Sequence, residues 1–254
     1  VLREIGALHT TAGATEKGLL ILNEAKELLE TTKDSVLYKE HYSVVLTQIV
    51  KLYALIGDYE TALIRMEKAL ALTIVEKGRK SIDYALLLYE ASSLNLALNN
   101  YKEALSLLEE VATIVEEKMG ETHPYYAAII NNTAGVYYKM GDYDQAAQNF
   151  ELSNRLYAKV LGENHPDYAV ALTNLAQLYI KMDKPERASK MLNKALLIYE
   201  KNYGLYHKDC ATILSIIGSC YRKQGAFEKA LEYMLRVRAI QSKIFNRENP
   251  YLMT

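Results

Sequence analysis

The chain has 254 residues, of which 50% are hydrophobic and 24% are charged. Its 30 basic and 31 acidic residues nearly cancel, which excludes a global attraction to nucleic acid or to an anionic membrane. No apolar run approaches the roughly 18–20 residues that cross a bilayer, and residues 1–13 lack the basic leader and apolar stretch of a signal peptide. With only 4 prolines and 12 glycines, the sequence predicts an all-α fold.

A 42-residue period runs along the chain. It is clearest at short corner motifs such as "GDY" at Gly57, and an earlier copy with its corner at Gly13 fits when the offset is 44. Stepping by 42 from Gly57 gives the later corners Asn99, Gly141, Asp183 and Gly225. Six corners predict about six helix hairpins, each of which buries its apolar face against its neighbours.

Residues at fixed distances from each corner form columns, and each column has a physical role. Apolar spacings of three and four predict a helix on both sides of the corner, and glycine or asparagine permits the left-handed backbone that ends the first helix. Small residues let the two helices approach, and large ones fill the gap to the next hairpin. The small residues are Val50, Ser92, Ala134, Ala176, Gly218 and the alanines Ala62, Ala104, Ala146, Ala188, Ala230; the large ones are Met66, Leu108, Phe150, Leu192, Met234.

We expect one array over residues 1–254, with the chain being part of a longer protein. Its units are predicted at 1–35, 36–80, 81–122, 123–164, 165–206 and 207–249, with a further unit starting at 250–254. The links "GETHP" and "GENHP" suggest glycine at the end of one helix and proline at the start of the next. Three histidines recur in these links: His123, His165 and His207. They act either as loop or cap residues or as metal ligands, and packing is favoured because solenoid copies keep them apart.

Other features give no catalytic signal. The sequence has no phosphate-cradling glycine loop, no "HExxH", no "GxSxG" and no Cys-x-x-Cys, so we expect no enzyme activity, no cofactor and no metal. Cys210 and Cys220 are predicted to be unbridged, with Cys220 buried. The apolar run from Tyr84 to Tyr89 indicates either a helix buried on a wide face or, less favoured, a protein interface.

The columns resemble those of the tetratricopeptide repeat (TPR). The usual TPR unit has 34 residues, and the additional eight amount to about two helical turns. The longer unit, the "LGxxHP"-like links and "TNLAQLY" are similar to the kinesin light chain type of TPR. The resemblance implies a right-handed superhelical solenoid whose first helices line a concave groove. Departures occur around "YEASSLNLALNNY" and at Pro185, which replaces the usual aromatic residue.

In TPR proteins, an asparagine two residues before the small column commonly holds a ligand's backbone. The resemblance carries this role to Asn132 and Asn174, whereas Gln48, Glu90 and Ile216 depart from the pattern. Lysines stand five residues after the small column in three units. The predicted peptide-binding residues are Asn131, Asn132, Lys139, Asn174, Gln177, Lys181, Arg222 and Lys223. Amides pair with backbone groups and lysines favour carboxylates; the alternative is that these side chains only solvate an exposed face.

Two functions follow as hypotheses. The first is a non-enzymatic adaptor whose groove binds an extended, acidic peptide of a partner protein, with no nucleic acid and no membrane insertion. The second is a structural subunit of a large ciliary or cytoskeletal assembly that uses its convex face and edges. A cytoplasmic location, with cytoskeletal or ciliary association, is the expectation for both.

Overall fold

The structure of the chain, a computed structural model, describes residues 15–31 and 36–248. Within those ranges it contains eleven α-helices and no strand. The helices are α1 (Thr15–Glu30), α2 (Val36–Leu55), α3 (Tyr59–Lys77), α4 (Ile82–Ala97), α5 (Tyr101–Met119), α6 (Pro124–Met140), α7 (Tyr143–Val160), α8 (Pro166–Lys181), α9 (Pro185–Tyr203), α10 (Lys208–Lys223) and α11 (Phe227–Glu248).

The helices belong to two compact units, residues 1–121 and residues 122–254. In the described part, the first unit holds α1 to α5 and the second holds α6 to α11. Consecutive helices pack against each other within each unit, which confirms the all-α solenoid fold. The division of one array into six sequence units stays a prediction. The early corner at Gly13 and the further unit from residue 250 lie outside the described residues.

A left-handed residue ends the first helix of each described hairpin, as predicted. The φ angles are 82° at Gly57, 63° at Asn99, 84° at Gly141, 57° at Asp183 and 74° at Gly225. The N–H of the following residue then donates to the carbonyl five residues back, at 2.8 to 3.0 Å. This carbonyl belongs to the tyrosine four residues before the corner, or to Asn95 in the one described hairpin that lacks this tyrosine. The bond satisfies a carbonyl that the helix end would otherwise leave unpaired.

The predicted columns form the hydrophobic cores. The alanines after the corners are buried in all five hairpins, and the large apolar residues Met66, Leu108, Phe150 and Leu192 are buried as well. Met234, in the same column, is 44% exposed because no later hairpin among the described residues packs over α11. In the run from Tyr84 to Tyr89, Leu87 and Leu88 are core residues, and Leu86 is exposed.

The recurring histidines cap the first helices of the second unit. The Nδ1 atoms of His123, His165 and His207 accept hydrogen bonds from the backbone N–H two residues later, at 3.2, 3.1 and 3.3 Å. Ser81 caps α4 in a similar way, since its hydroxyl oxygen accepts from the backbone N–H of Tyr84, three residues later, at 3.2 Å. Each histidine therefore satisfies one of the free N–H groups at a helix start, which confirms the interpretation as cap residues.

Enlarging the alanine column should destabilise a hairpin. Ala188 is fully buried where α9 meets α8, so Ala188→Leu forces extra methylenes into a packed core and should cost about 1–3 kcal/mol of unfolding free energy. Ala239→Leu on the exposed side of α11 is the control and should change stability little. Chemical denaturation followed by circular dichroism measures both; equal midpoints for the two variants would contradict the packing assigned to this column.

Candidate peptide-binding face

All eight predicted binding residues lie in the second unit, on the first helices of three consecutive hairpins. Helix α6 contacts α8, and α8 contacts α10, so these helices lie side by side. We call their shared set of site residues the first-helix face. It carries Asn131, Asn132 and Lys139 from α6, Asn174, Gln177 and Lys181 from α8, and Arg222 and Lys223 from α10.

Two of the amides are joined directly. The Nδ2 atom of Asn174 donates to Oδ1 of Asn131 at 3.3 Å, which links α8 to α6. Both side chains are half-buried, as is Asn132 beside them. The bond uses one hydrogen of Asn174 and one lone pair of Asn131, so each amide keeps a donor and an acceptor. The pair can therefore still bind the N–H and C=O groups of a peptide backbone.

Gly135 leaves open space next to the amides on α6. Gly135 lies four residues after Asn131 and four before Lys139, on the same side of α6. A Cβ atom added to Gly135 would meet no heavy atom within 4 Å, so the space above it is open. Gln177 and Ser219 occupy the same column on α8 and α10, and both are exposed. An extended backbone can therefore approach α6 closely at Gly135, with Gln177 and Ser219 facing it from the next two first helices.

Four cations stand at one end of the face. Lys139, Lys181, Arg222 and Lys223 lie in the last turns of their helices, and all four are exposed. Positive charge there is favoured by the helix dipole. Within residues 15–31 and 36–248, none of the four forms an ion pair with an acidic side chain of the chain itself. Their charges are consequently available to an anionic ligand.

Second helices hold the face in position through side chains that bond to the backbone. Asn154 of α7 donates from Nδ2 to the carbonyl of Phe150 at 3.0 Å and to that of Ala171 in α8 at 3.1 Å. Ser153 donates to the carbonyl of Ala127 in α6 at 2.8 Å. Both side chains are buried. One turn of α7 thus fixes α6 and α8, the two helices that carry the amide pair.

A tyrosine adds a further link between α7 and α8. The hydroxyl of Tyr179 donates to Oε1 of Glu151 at 2.7 Å, and the guanidinium of Arg187 lies 5.6 Å from the centre of the tyrosine ring. Burial, followed by the bond to Glu151, raises the pKa of the Tyr179 phenol. The phenol therefore stays protonated and keeps donating at neutral pH.

Groups that could support other chemistry are isolated. Cys210 and Cys220 are buried and free, and burial raises the pKa of both thiols, which disfavours the reactive thiolate. In the part of the chain that the structure describes, no three His, Cys, Asp or Glu side chains are arranged to hold a metal ion. None of the helices in that part has both the length and the apolar character needed to span a membrane.

Comparison with known protein families identifies the repeat from which this architecture is built. A model of the tetratricopeptide repeat matches residues 41–117, 83–157, 125–201 and 183–243, which together cover most of the sequence. The chain belongs to the tetratricopeptide repeat family. Proteins of this fold are protein–protein interaction scaffolds, and the repeat is typically non-catalytic. A comparison with curated proteins found no match.

Solved TPR structures share the fold. The chain is similar to BtubC (BKLC) from P. vanneervenii, with a TM-score of 0.75 and 19% identity over 91% of this chain and 92% of that one. It is also similar to a Podosopora anserina putative kinesin light chain with nearly identical TPR-like repeats, at a TM-score of 0.65 and 23% identity over 81% and 98%. A third match is the APC/C hetero-tetramer Cut9–Hcn1, with a TM-score of 0.65 and 16% identity over 94% of this chain and 39% of that one. These likenesses concern the fold.

Removing the Asn154 side chain should destabilise the packing of α7 against α8, which carries part of the first-helix face. Asn154→Ala loses a buried donor that joins α7 to α8, and we expect a loss of about 1–2 kcal/mol in unfolding free energy. Asn193→Ala, an exposed asparagine on α9, is the matched control and should be neutral. Urea denaturation compares the two; a neutral Asn154→Ala variant would contradict the anchoring role.

Proposed function

We propose that this TPR protein is a non-enzymatic adaptor whose first-helix face binds an extended, acidic peptide segment of a partner protein. The observation that supports this most is the set of four exposed cations, unpaired within the described residues, at one end of the Asn131–Asn174 pair. Amides and cations fit different parts of the same ligand. The amides pair with its backbone, and the lysines attract its carboxylates.

The positions of the amides and cations along the helices determine in which direction the acidic side chains of the ligand point. The amide pair lies in the middle of α6 and α8, whereas the cations lie in the last turns of α6, α8 and α10. A segment crossing the three helices at the amides places acidic side chains toward the lysine row when every second residue points that way. Glutamate or aspartate at alternate positions is therefore the preferred pattern. We further propose that the protein acts in the cytoplasm and that its partner is a cytoskeletal or ciliary protein.

A second candidate function is that of a structural subunit of a large assembly, and one feature favours it. In the link between α9 and α10, Leu205 and Tyr206 stand where the two earlier links carry Glu–Thr and Glu–Asn. Both are 42% exposed, and the ring of His207 stacks on the exposed Tyr203 at 4.6 Å. Exposed apolar edges of this kind suit protein contacts. The double variant Leu205→Glu, Tyr206→Asn makes this link polar, as the two earlier links are. It should release a partner held at this edge without affecting peptide binding.

The lysine row should determine which peptides are selected. A random-peptide library displayed against the whole chain should yield sequences enriched in aspartate and glutamate. Affinity for an enriched peptide, measured by fluorescence anisotropy, should fall as salt rises from about 0.05 to 0.2 M. The triple variant Lys139→Gln, Lys181→Gln and Lys223→Gln should lose most of the affinity and of the salt dependence.

A charge-matched control separates this row from the protein's overall charge. Lys159→Gln, Lys190→Gln and Lys201→Gln remove three exposed lysines from second helices. This control should bind like the natural sequence. Selection of neutral peptides, or equal losses in both triple variants, would rule out an acidic ligand on the first-helix face.

The amides should contribute to affinity for any extended ligand. Replacing Asn132 and Asn174 by alanine should weaken the selected peptide at least tenfold, because loss of backbone hydrogen bonds costs about 1.5 kcal/mol or more. Isothermal titration calorimetry measures the effect. Asn149→Ala with Asn193→Ala, on second helices, is the control pair. Unchanged affinity in a folded Asn132→Ala, Asn174→Ala protein would contradict a role of these amides in binding the peptide backbone.

A further inference from the structure

We propose that the first unit carries a separate binding site, which takes an arginine side chain of a partner protein. The site is a hollow of about 210 Å³ bounded by α2, α3 and α4. It is distinct from the first-helix face of the second unit, and it favours a ligand of the opposite charge. The residues that carry the argument are Val44, Thr47, Thr73, Leu86 and Glu90.

The hydroxyl groups of the hollow are committed as donors. Thr47 Oγ1 donates to the carbonyl of Ser43, and Thr73 Oγ1 donates to the carbonyl of Ala69, both at 2.9 Å. A hydroxyl has one hydrogen and two lone pairs, so each oxygen has only acceptor capacity left. These threonines therefore offer acceptors, and no hydrogen, to a group entering the hollow.

Glu90 adds an acceptor that is not satisfied. Its Oε1 atom lies 3.1 Å from Nζ of Lys51, whereas its Oε2 atom is buried and has no hydrogen-bond partner within the described residues. The side chain as a whole is 32% exposed, and that of Lys51 is 50% exposed. Because the terminal torsion of glutamate is broad, the carboxylate can turn Oε2 into the hollow while Lys51 follows. A bound donor would relieve the cost of the unpaired oxygen.

The charges and the shape select the ligand. Lys77, which lines the hollow, is paired with Asp83 at 2.7 Å, and Lys51 is paired with Glu90 at 3.1 Å, so each lysine is engaged with a carboxylate. Arginine complements the acceptors of Glu90, Thr47 and Thr73, since its guanidinium has five N–H donors and no acceptor. The lining also includes Ser43 and Gln48, which can accept as well as donate. The planar fork of arginine can donate to a carboxylate and a hydroxyl at once, with a fixed geometry that a point-like ammonium lacks. Val44 and Leu86 provide apolar walls for the aliphatic stem.

Direct binding of short peptides to the whole chain tests the site. The probes are Ac-Gly-Ala-Arg-Ala-Gly-NH2 and the same peptide with citrulline, which keeps the shape and removes the charge. In a ¹H–¹⁵N NMR titration, the arginine peptide should shift signals of residues 43–48 and 86–90 and bind at least tenfold more tightly than the citrulline peptide. Glu90→Gln should reduce arginine binding at least tenfold, whereas Glu103→Gln, at an exposed site on α5, should not.

Further variants keep the outcome decisive. Thr47→Val preserves the shape of the side chain but removes an acceptor, so it should also weaken binding of the arginine peptide. This variant decides the test if Glu90→Gln impairs folding. The Asn132→Ala, Asn174→Ala protein should bind it normally, so failure here is distinguishable from failure of the acidic-peptide proposal. Equal binding of the citrulline peptide, or shifts confined to other residues, would overturn the inference.

Discussion

The left-handed corner after each first helix is the constraint on which the rest of the structure depends. Five described corners have φ between 57° and 84°, and two of them, Asn99 and Asp183, adopt this conformation without being glycine. The bond from the next residue to the tyrosine-column carbonyl fixes where the helix stops. Because that stop is fixed, every column before and after it meets the same neighbour in each hairpin. The amide and lysine positions are set in this way.

Features that repeat were predictable, since each copy is an independent observation of the same physical need. The 42-residue period, the corners, the buried alanines and the capping histidines are all of this kind. Alanine at 62, 104, 146 and 188 is fully buried because a helix pair at close approach admits no larger side chain there. A family resemblance then added the expectation that the first helices carry the binding residues, and this remains a proposal for this chain.

Features that occur once were not predictable. Asn154 stands in a column that holds alanine at 112 and leucine at 196, which favours a buried position, but the sequence does not show which group a buried amide there would meet. Its role depends on the distance to the carbonyl of Ala171, which only a three-dimensional structure gives. The same holds for the bond between Asn131 and Asn174 and for the second oxygen of Glu90. Each depends on where two different helices lie.

One column shows how a repeat fold diversifies its chemistry without changing its backbone. The position two residues before the small column holds Gln48, Glu90, Asn132, Asn174 and Ile216. An amide there both donates and accepts, a carboxylate only accepts, and isoleucine does neither. Since the hairpin places this residue on the same side of each first helix, a single substitution changes the type of hydrogen-bonding group that a hairpin presents there. The opposite charge preferences that we propose for the two units are therefore compatible with one set of packing rules.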